Sequence, residues 1–275
     1  MKLFRIACSG MALAVLAACG TTYELPGVDE GVTSRANAMF AEAQSSPERG
    51  LNSQASGVAR FTRVALRVEP VAKKFCEAEL ANKPGIDCNV RLELDYKAEE
   101  RNAYFTYAEK GKKSPVIRFT VPILRDVQSD DEVAFILGHE YGHLIGQHID
   151  KQQKQAIAGA LIMGTLIAAA GGGTTYDADA VNSGIELGAA LGHGAFSKNY
   201  ELESDMLGAR IAAAAGYDPV RGAKYFARAE EARGETGKLS FWGTHPADAD
   251  RIAVVIATSE QIKARQALVR KEAKK

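Results

Sequence analysis

The stretch Ser129–His143, SDDEVAFILGHEYGH, decides how the rest of the chain is read. Ser129 followed three residues later by Glu132 is the signature of a capped helix start. Val133, Phe135, Ile136 and Leu137 come next, and the helix is expected to run to about Lys154. Within it His139 and His143 stand four apart, which places both imidazoles on one face, one turn above the other. Two imidazoles so placed reach a single zinc ion, while Glu140 between them points at water on that ion. The metal acidifies the water and the carboxylate takes its proton, so the spacing points to hydrolysis. Gly142 costs about 1 kcal/mol relative to Ala inside a helix. A small residue there lets another element pack closely against the metal site.

Such an ion needs a third protein ligand. His148 stands five residues after His143, with nothing that breaks the helix before it, and is expected on an outer or partly buried face. His193 lies in Gly192-His193-Gly194, which favours no ligand geometry. The acidic run Tyr200-Glu201-Leu202-Glu203-Ser204-Asp205 opens an amphipathic helix that continues through Leu207, Ile211 and Ala214. Glu201 and Asp205 are one turn apart on one face, so one can bind the metal while the other orients a ligand histidine. Glu203 points elsewhere and is expected to be solvated, so its loss should leave zinc binding unchanged.

The beginning of the chain addresses its location. Lys2 and Arg5 precede the apolar stretch Met11–Ala18, too short for a membrane span, which reads as a secretory signal over residues 1–18. Leu16-Ala17-Ala18-Cys19 resembles a bacterial lipobox, with Cys19 as the lipidated residue and Gly20 after it favouring the outer membrane. Cys8 lies ahead of the apolar core and does not fit that role. Acyl chains at Cys19 would hold the mature protein to the membrane. The chain carries 34 basic and 34 acidic residues in 275, and removal of Lys2 and Arg5 leaves it slightly acidic. Nothing in that balance points to nucleic acid. Cys76 and Cys88 remain, and an even pair in an exported protein is expected to form a disulfide, two free thiols being the alternative.

Residues 19–50, rich in Gly, Ser, Thr and Ala, read as a lipidated tether, residues 51–260 as the catalytic domain, and 261–275 as a basic, solvated tail. Val58, Phe61, Val64, Ala65, Val68, Val71 and Phe75 recur at helical spacing, with Pro70 expected to kink or divide the helix. Alternating runs at Val90–Tyr96, Ala103–Tyr107 and Val116–Val121 predict a small, largely antiparallel sheet. The fold class is therefore α+β and mostly helical. The run Ala156–Gly173 is apolar for about fifteen residues, short of the ~20 a spanning helix needs. With Gly184, Gly188 and Gly192 it reads as close-packed helices, with Gly171–Asp179 as a mobile loop, rather than as a transmembrane hairpin. Thr244 is expected to cap a helix starting at Pro246, Arg251 to anchor that loop by an ion pair, and Trp242 to lie in the core.

Four motifs occur in order: the His-Glu-x-x-His helix, Glu201-x-x-Ser204-Asp205, Ala215-Gly216-Tyr217-Asp218-Pro219, and Thr244-His245-Pro246 followed by Arg251-Ile252. Together, over about residues 57–258, they resemble the HtpX-like and type I CAAX-prenyl protease-like zinc metallopeptidases (gluzincins), especially a periplasmic lipoprotein branch. The resemblance implies a zincin-like fold and one zinc ion per chain held by His139, His143 and Glu201. It makes Glu140 the general base and Asp205 the carboxylate behind a ligand. Asn102-Ala103 matches the start of an edge strand that binds an extended peptide through its main chain, although the Pro-Gly-Gly usual after it is missing. Ser204 replaces the usual Ala. His245 is placed near the zinc, either stabilising the oxyanion or filling the open coordination position as an inhibitory fourth ligand; a structural role is open too.

The expected protein is a zinc endopeptidase, an outer-membrane lipoprotein facing the periplasm, with misfolded or stalled envelope proteins as substrates by family analogy. Two other readings stand beside it: a chaperone-like module whose zinc holds the fold, and an outer-membrane assembly factor whose protease is silent until a partner opens it. Glu140 between the histidines favours the enzyme, since a purely structural site has no use for it.

Overall fold

The computed structural model describes residues 20–46, 49–83, 85–109, 112–158, 197–228 and 241–271. The signal region, Cys19, most of the Ala156–Gly173 run, the Gly171–Asp179 loop, Gly184, Gly188, Gly192 and His193 lie outside them, as does the side chain of Trp242. Among the described residues no helix is long and apolar enough to cross a membrane.

The centre of the molecule is the motif helix, α4 once the helices before it are counted. It spans Asp130–Gly146, and its residues Glu132 to Gly146 are all buried. A helix apolar on every side must be wrapped by others, and the flanking elements do this. Helix α1 (Glu30–Gln44) is capped by Asp29 and buries Val32, Ala36 and Ala43. Helix α2 (Gln54–Leu80) buries Phe61, Val64, Ala65, Val68, Ala72, Cys76 and Leu80 at three- and four-residue steps. Pro70 does not divide it: the helix runs through as one element. Pro70 is on the exposed face, where water can take the carbonyl that loses its partner. Helix α3 (Val121–Asp126) leads into α4, whose N-cap Ser129 accepts from Glu132 N while Glu132 accepts from Gln128 N.

Three strands, β1 (Arg91–Asp95), β2 (Ala103–Glu109) and β3 (Lys112–Thr120), form one sheet in the order β1-β3-β2. The sheet is mixed rather than largely antiparallel. β2 and β3 are an antiparallel hairpin with Ala103 opposite Phe119, whereas β1 pairs parallel with β3, Arg91 opposite Val116. The loop after β1 carries the chain past β3, so β2 becomes the outer strand. Cys76 at the end of α2 is joined to Cys88 ahead of β1. That bridge should contribute on the order of 2–3 kcal/mol by closing a short loop in the unfolded chain. A Cys76→Ser, Cys88→Ser protein should lose about this much in urea unfolding, and parental stability would dismiss the contribution.

Helices α5 (Lys198–Ala214), α6 (Pro219–Ala223), α7 (Phe241–Thr244) and α8 (Ala249–Lys263) complete the fold. The α4–α5 contact is the one that positions the site. A Cβ on Gly142 would stand 2.8 Å from Ser204 Cα, and one on Gly138 2.8 Å from Gly208 O. The helices are thus nearly backbone to backbone, which explains Gly142. Helix α8 starts at Ala249 with Asp248 as its cap, not at Pro246 under Thr244. Asp248 wins because its carboxylate accepts from Asp250 N, whereas the Thr244 hydroxyl bonds back to Phe241 O.

Both ends of the described chain also depart from expectation. Residues 20–46 are not a tether: Tyr23 is fully buried and α1 packs on α8. Residues 264–271 are not a free tail. Glu24 N donates to Val269 O and Lys271 N to Thr22 O, so the two terminal segments pair, and Arg270 stacks over the Tyr23 ring. Polar composition hid this, because the pairing is main chain to main chain.

Candidate metal centre

Four buried side chains converge from three places in the chain: His139 and His143 from α4, Glu201 from the first turn of α5, and His245 from the segment between α7 and α8. His139 Nε2 and His143 Nε2 are 3.0 Å apart. The Glu201 carboxylate stands 3.5 Å from the first and 3.4 Å from the second. His245 Nδ1 is 3.3 Å from His139 Nε2 and 3.0 Å from Glu201. Two ligands about 2.05 Å from one tetrahedral zinc ion stand about 3.3 Å from each other, so these separations match a zinc ligand set. The protein atoms alone do not satisfy one another. Glu201 Oε1, Glu140 Oε1 and His245 Nε2 are buried without a hydrogen-bond partner, and ring nitrogens face one another at contact distance. A cation at the centre would satisfy Glu201 Oε1 and the facing ring nitrogens, so the residues fit zinc.

Behind the ligands, Asp205 Oδ1 lies 2.9 Å from His139 Nδ1, which fixes the ring with Nε2 towards the centre. Arg251 holds Asp205 with two bonds of 2.7 Å, reaches Glu201 at 3.2 Å, and lies over the Phe226 ring. The paired fork is the geometry in which a guanidinium is strongest. Arg251 therefore anchors the Asp205 and Glu201 carboxylates more than the loop it was assigned to, though it also touches Pro246 O. Burial works against the Glu201 carboxylate, but His245, Arg251 and His139 outweigh it and hold its pKa well below the usual range. Burial works against a His139 imidazolium too, yet Asp205 and Glu201 raise its pKa to about 9. A proton or a metal on His139 Nε2 is thus strongly favoured. Burial and the nearby His139 keep His143 well below the ordinary imidazole value, so it stays a neutral donor.

Glu140 sits beside this set without joining it. Its Oε2 accepts from Phe105 N in β2 at 2.8 Å, and its Oε1 faces His245 Nε2 at 3.4 Å. Burial pushes its pKa up, against the pull of His245 and His139, which suits a group that must accept and return a proton. Asn102 and Ala103 are buried at the start of β2. Asn102 N donates to Thr120 Oγ1, Asn102 O accepts from Thr120 N, and its side chain meets Thr244 Oγ1 at 3.5 Å.

Comparison with known proteins agrees with a metal-dependent hydrolase. The model of peptidase family M48 matches residues 59–259. The chain belongs to this family. It is similar to the mitochondrial metalloendopeptidase OMA1 of Arabidopsis thaliana, 32% identical over 97 residues, 35% of this chain and 18% of that protein. It is also similar to the metalloprotease LoiP of Escherichia coli (strain K12), 30% identical over 131 residues, 46% of this chain and 49% of that protein. The matches thus span less than half the length of these two relatives. The buried centre is the zinc site of an M48 metallopeptidase.

Three expectations at the site are overturned. Helix α4 does not run on to Lys154: Gln147 takes a left-handed conformation (φ 57°) and ends it, and a second helical stretch follows from His148. His148 is not on an outer face but fully buried, 2.9 Å from His143 Nδ1. Glu203 is not solvated either. It is fully buried, 2.8 Å from His148 Nε2, and accepts from Tyr23 N. The far face of α5 is covered by the N-terminal segment, which a tether would have left bare. Little in the sequence warned of the helix end, because the left-handed residue is Gln147 where Gly or Asn is usual.

Glu201→Gln should weaken zinc binding, because it removes a charged ligand oxygen while keeping the side chain's shape. Measured by competition with a chromogenic chelator, unchanged zinc affinity would remove Glu201 from the ligand set.

Proposed function

We propose that this protein is a zinc endopeptidase of the bacterial cell envelope, anchored to the outer membrane by lipid on Cys19 and facing the periplasm, where it cleaves unfolded or stalled envelope proteins. The observation that carries the catalytic part is the four-donor centre with Glu140 held beside it but outside it. Zinc, when bound, supplies the Lewis acidity that polarises a peptide carbonyl and acidifies water. Glu140 takes the proton of the attacking water and returns it to the leaving amine. Phe105 N–H orients Glu140 by binding the oxygen turned towards β2. Asp205 and Arg251 keep His139 and Glu201 in place.

β2 is an outer strand of the sheet, and Phe105 N reaches Glu140 from it. An extended peptide added along β2, beginning at Asn102 and Ala103, would pass the catalytic base, which supports main-chain recognition of unfolded segments. The names of the relatives, a metalloendopeptidase and a metalloprotease, support cleavage within chains. The Cys76–Cys88 bridge supports an oxidising compartment.

The test is incubation of the zinc-loaded protein, and of its His245→Ala variant, with an unfolded polypeptide. Internal cleavage mapped by mass spectrometry and abolished by a chelator is expected. Removal of terminal residues alone, or no cleavage by either protein, would refute an endopeptidase. For location, Cys19→Ser should move the protein from the membrane fraction to the soluble periplasm. Retention of Cys19→Ser in the membrane would point to another anchor.

A further inference from the structure

His139 has a carboxylate, Asp205, on the ring nitrogen that faces away from the metal. His143 has an imidazole there. Its Nδ1 lies 2.9 Å from His148 Nδ1, His148 Nε2 lies 2.8 Å from Glu203 Oε2, and Glu203 Oε1 accepts from Tyr23 N at 2.6 Å. His143, His148, Glu203 and Tyr23 are each fully buried.

One proton assignment satisfies this chain. With His143 Nε2 turned to the metal, the ring proton sits on Nδ1 and is donated to His148 Nδ1. That leaves the His148 proton on Nε2, donated to the Glu203 carboxylate. The Ser204 hydroxyl, 3.2 Å from His148 Nδ1, can donate to the same acceptor. Every bond points outward from the metal, ending on a carboxylate whose second oxygen is held by a backbone N–H.

The local fold is built to present this ring. Gln147 in the left-handed region swings the chain back, so that the His148 ring returns over the end of α4. A Cβ on Gly146 would come 2.2 Å from His148 Nε2, so only glycine leaves room. The ring stacks on Tyr200 at 4.5 Å, nearly parallel. Lys151 approaches Glu203 at 3.7 Å and donates to Thr22.

We propose that His148 and Glu203 are positioning residues for zinc acting through His143, and that the relay they form ends on the N-terminal segment at Tyr23. His148 does for His143 what Asp205 does for His139, with Glu203 supplying the charge one step further out. The consequence is that the metal is held partly by the segment that follows Cys19. The inference concerns how zinc is retained and stands apart from which proteins are cleaved.

The test measures zinc dissociation constants of the full-length protein by chelator competition, with no substrate present. Glu203→Gln keeps the shape, but one of its two donors then meets an amide NH2. His148→Leu and His148→Asn are similar in size, and only Asn can accept from His143 Nδ1–H. Glu203→Gln and His148→Leu should each weaken zinc binding about 10–100-fold, as loss of such partners typically does, and His148→Asn should recover part of it. The visible absorption of the cobalt(II)-substituted protein should change in Glu203→Gln and His148→Leu, whatever the melting of the metal-free proteins. A structural role alone would lower metal-free stability and leave zinc affinity and the cobalt spectrum unmoved. Zinc affinity within about twofold of parental in Glu203→Gln, well short of the 10–100-fold expected, overturns the proposal even if His148→Leu fails to fold. Equal weakening in the Asn and Leu proteins overturns the acceptor role of His148.

Discussion

Glu140→Gln should remove proteolysis, by about 10²–10⁴-fold, the usual contribution of a general base, while zinc stays bound and the fold intact. The geometry makes this separation clean. Glu140 is not part of the donor set, so its neutral analogue leaves His139, His143 and Glu201 as they are. The glutamine carbonyl can still accept from Phe105 N, so the link to β2 is kept. The carboxylate is buried with its pKa raised, and a neutral group of the same size is no harder to bury. What disappears is the ability to take a proton from water and hand it to the amine. Zinc content by elemental analysis and the cleavage rate on an unfolded test protein check both halves. Parental cleavage by a zinc-loaded Glu140→Gln protein would sink the hydrolytic mechanism.

Residues whose roles depend on near neighbours were legible in the sequence. Ser129 and Glu132 mark the start of α4, and the spacing of His139, Glu140 and His143 sets their common face, because an α-helix fixes both within one or two turns. Glu201 and Asp205 were legible as a one-turn pair, but which of them would bind metal rested on resemblance. What failed was whatever depends on a third element. Glu203 was read as solvated because it lies off the Glu201 face, and α5 has a second buried face only because Thr21–Glu24 packs there. Tyr23, an isolated aromatic in a polar run, was the trace of that packing. His148 was misplaced for a related reason: periodicity assumes a continuing helix, and one residue in the left-handed region at Gln147 redirects everything after it. The sheet shows the same limit. Alternation gives each strand its faces and says nothing of its neighbours, so the parallel β1–β3 pair could not be told from a meander.

His245 raises the sharpest question, because its two chemical roles predict opposite signs for one variant. Its Nδ1 lies among the ligand atoms, 3.0 Å from Glu201 and 3.3 Å from His139 Nε2, and its Nε2 is turned to Glu140. The ring thus stands between the metal ligands and the catalytic base, where substrate and water must come. If a histidine so placed completes the donor set at rest, it holds the protein silent. His245→Ala should then raise basal proteolysis at matched zinc content, by about tenfold if the open state is populated at about one part in ten. Zinc should remain, since His139, His143 and Glu201 still hold it. Were His245 instead a donor to the developing oxyanion, its loss would lower the rate by roughly 10²–10³. An assay of His245→Ala against an unfolded polypeptide separates the two, and unchanged activity would reject both and leave the residue a packing role against Phe241 and Phe226. The geometry favours the increase, because neither ring nitrogen is directed at free space: one faces the ligands and the other the base. Release of the ring would have to come from movement of the segment between α7 and α8. Helix α7, just ahead of that segment, is tied to the residues leading into β2 through Phe241 N to Arg101 O and Thr244 to Asn102.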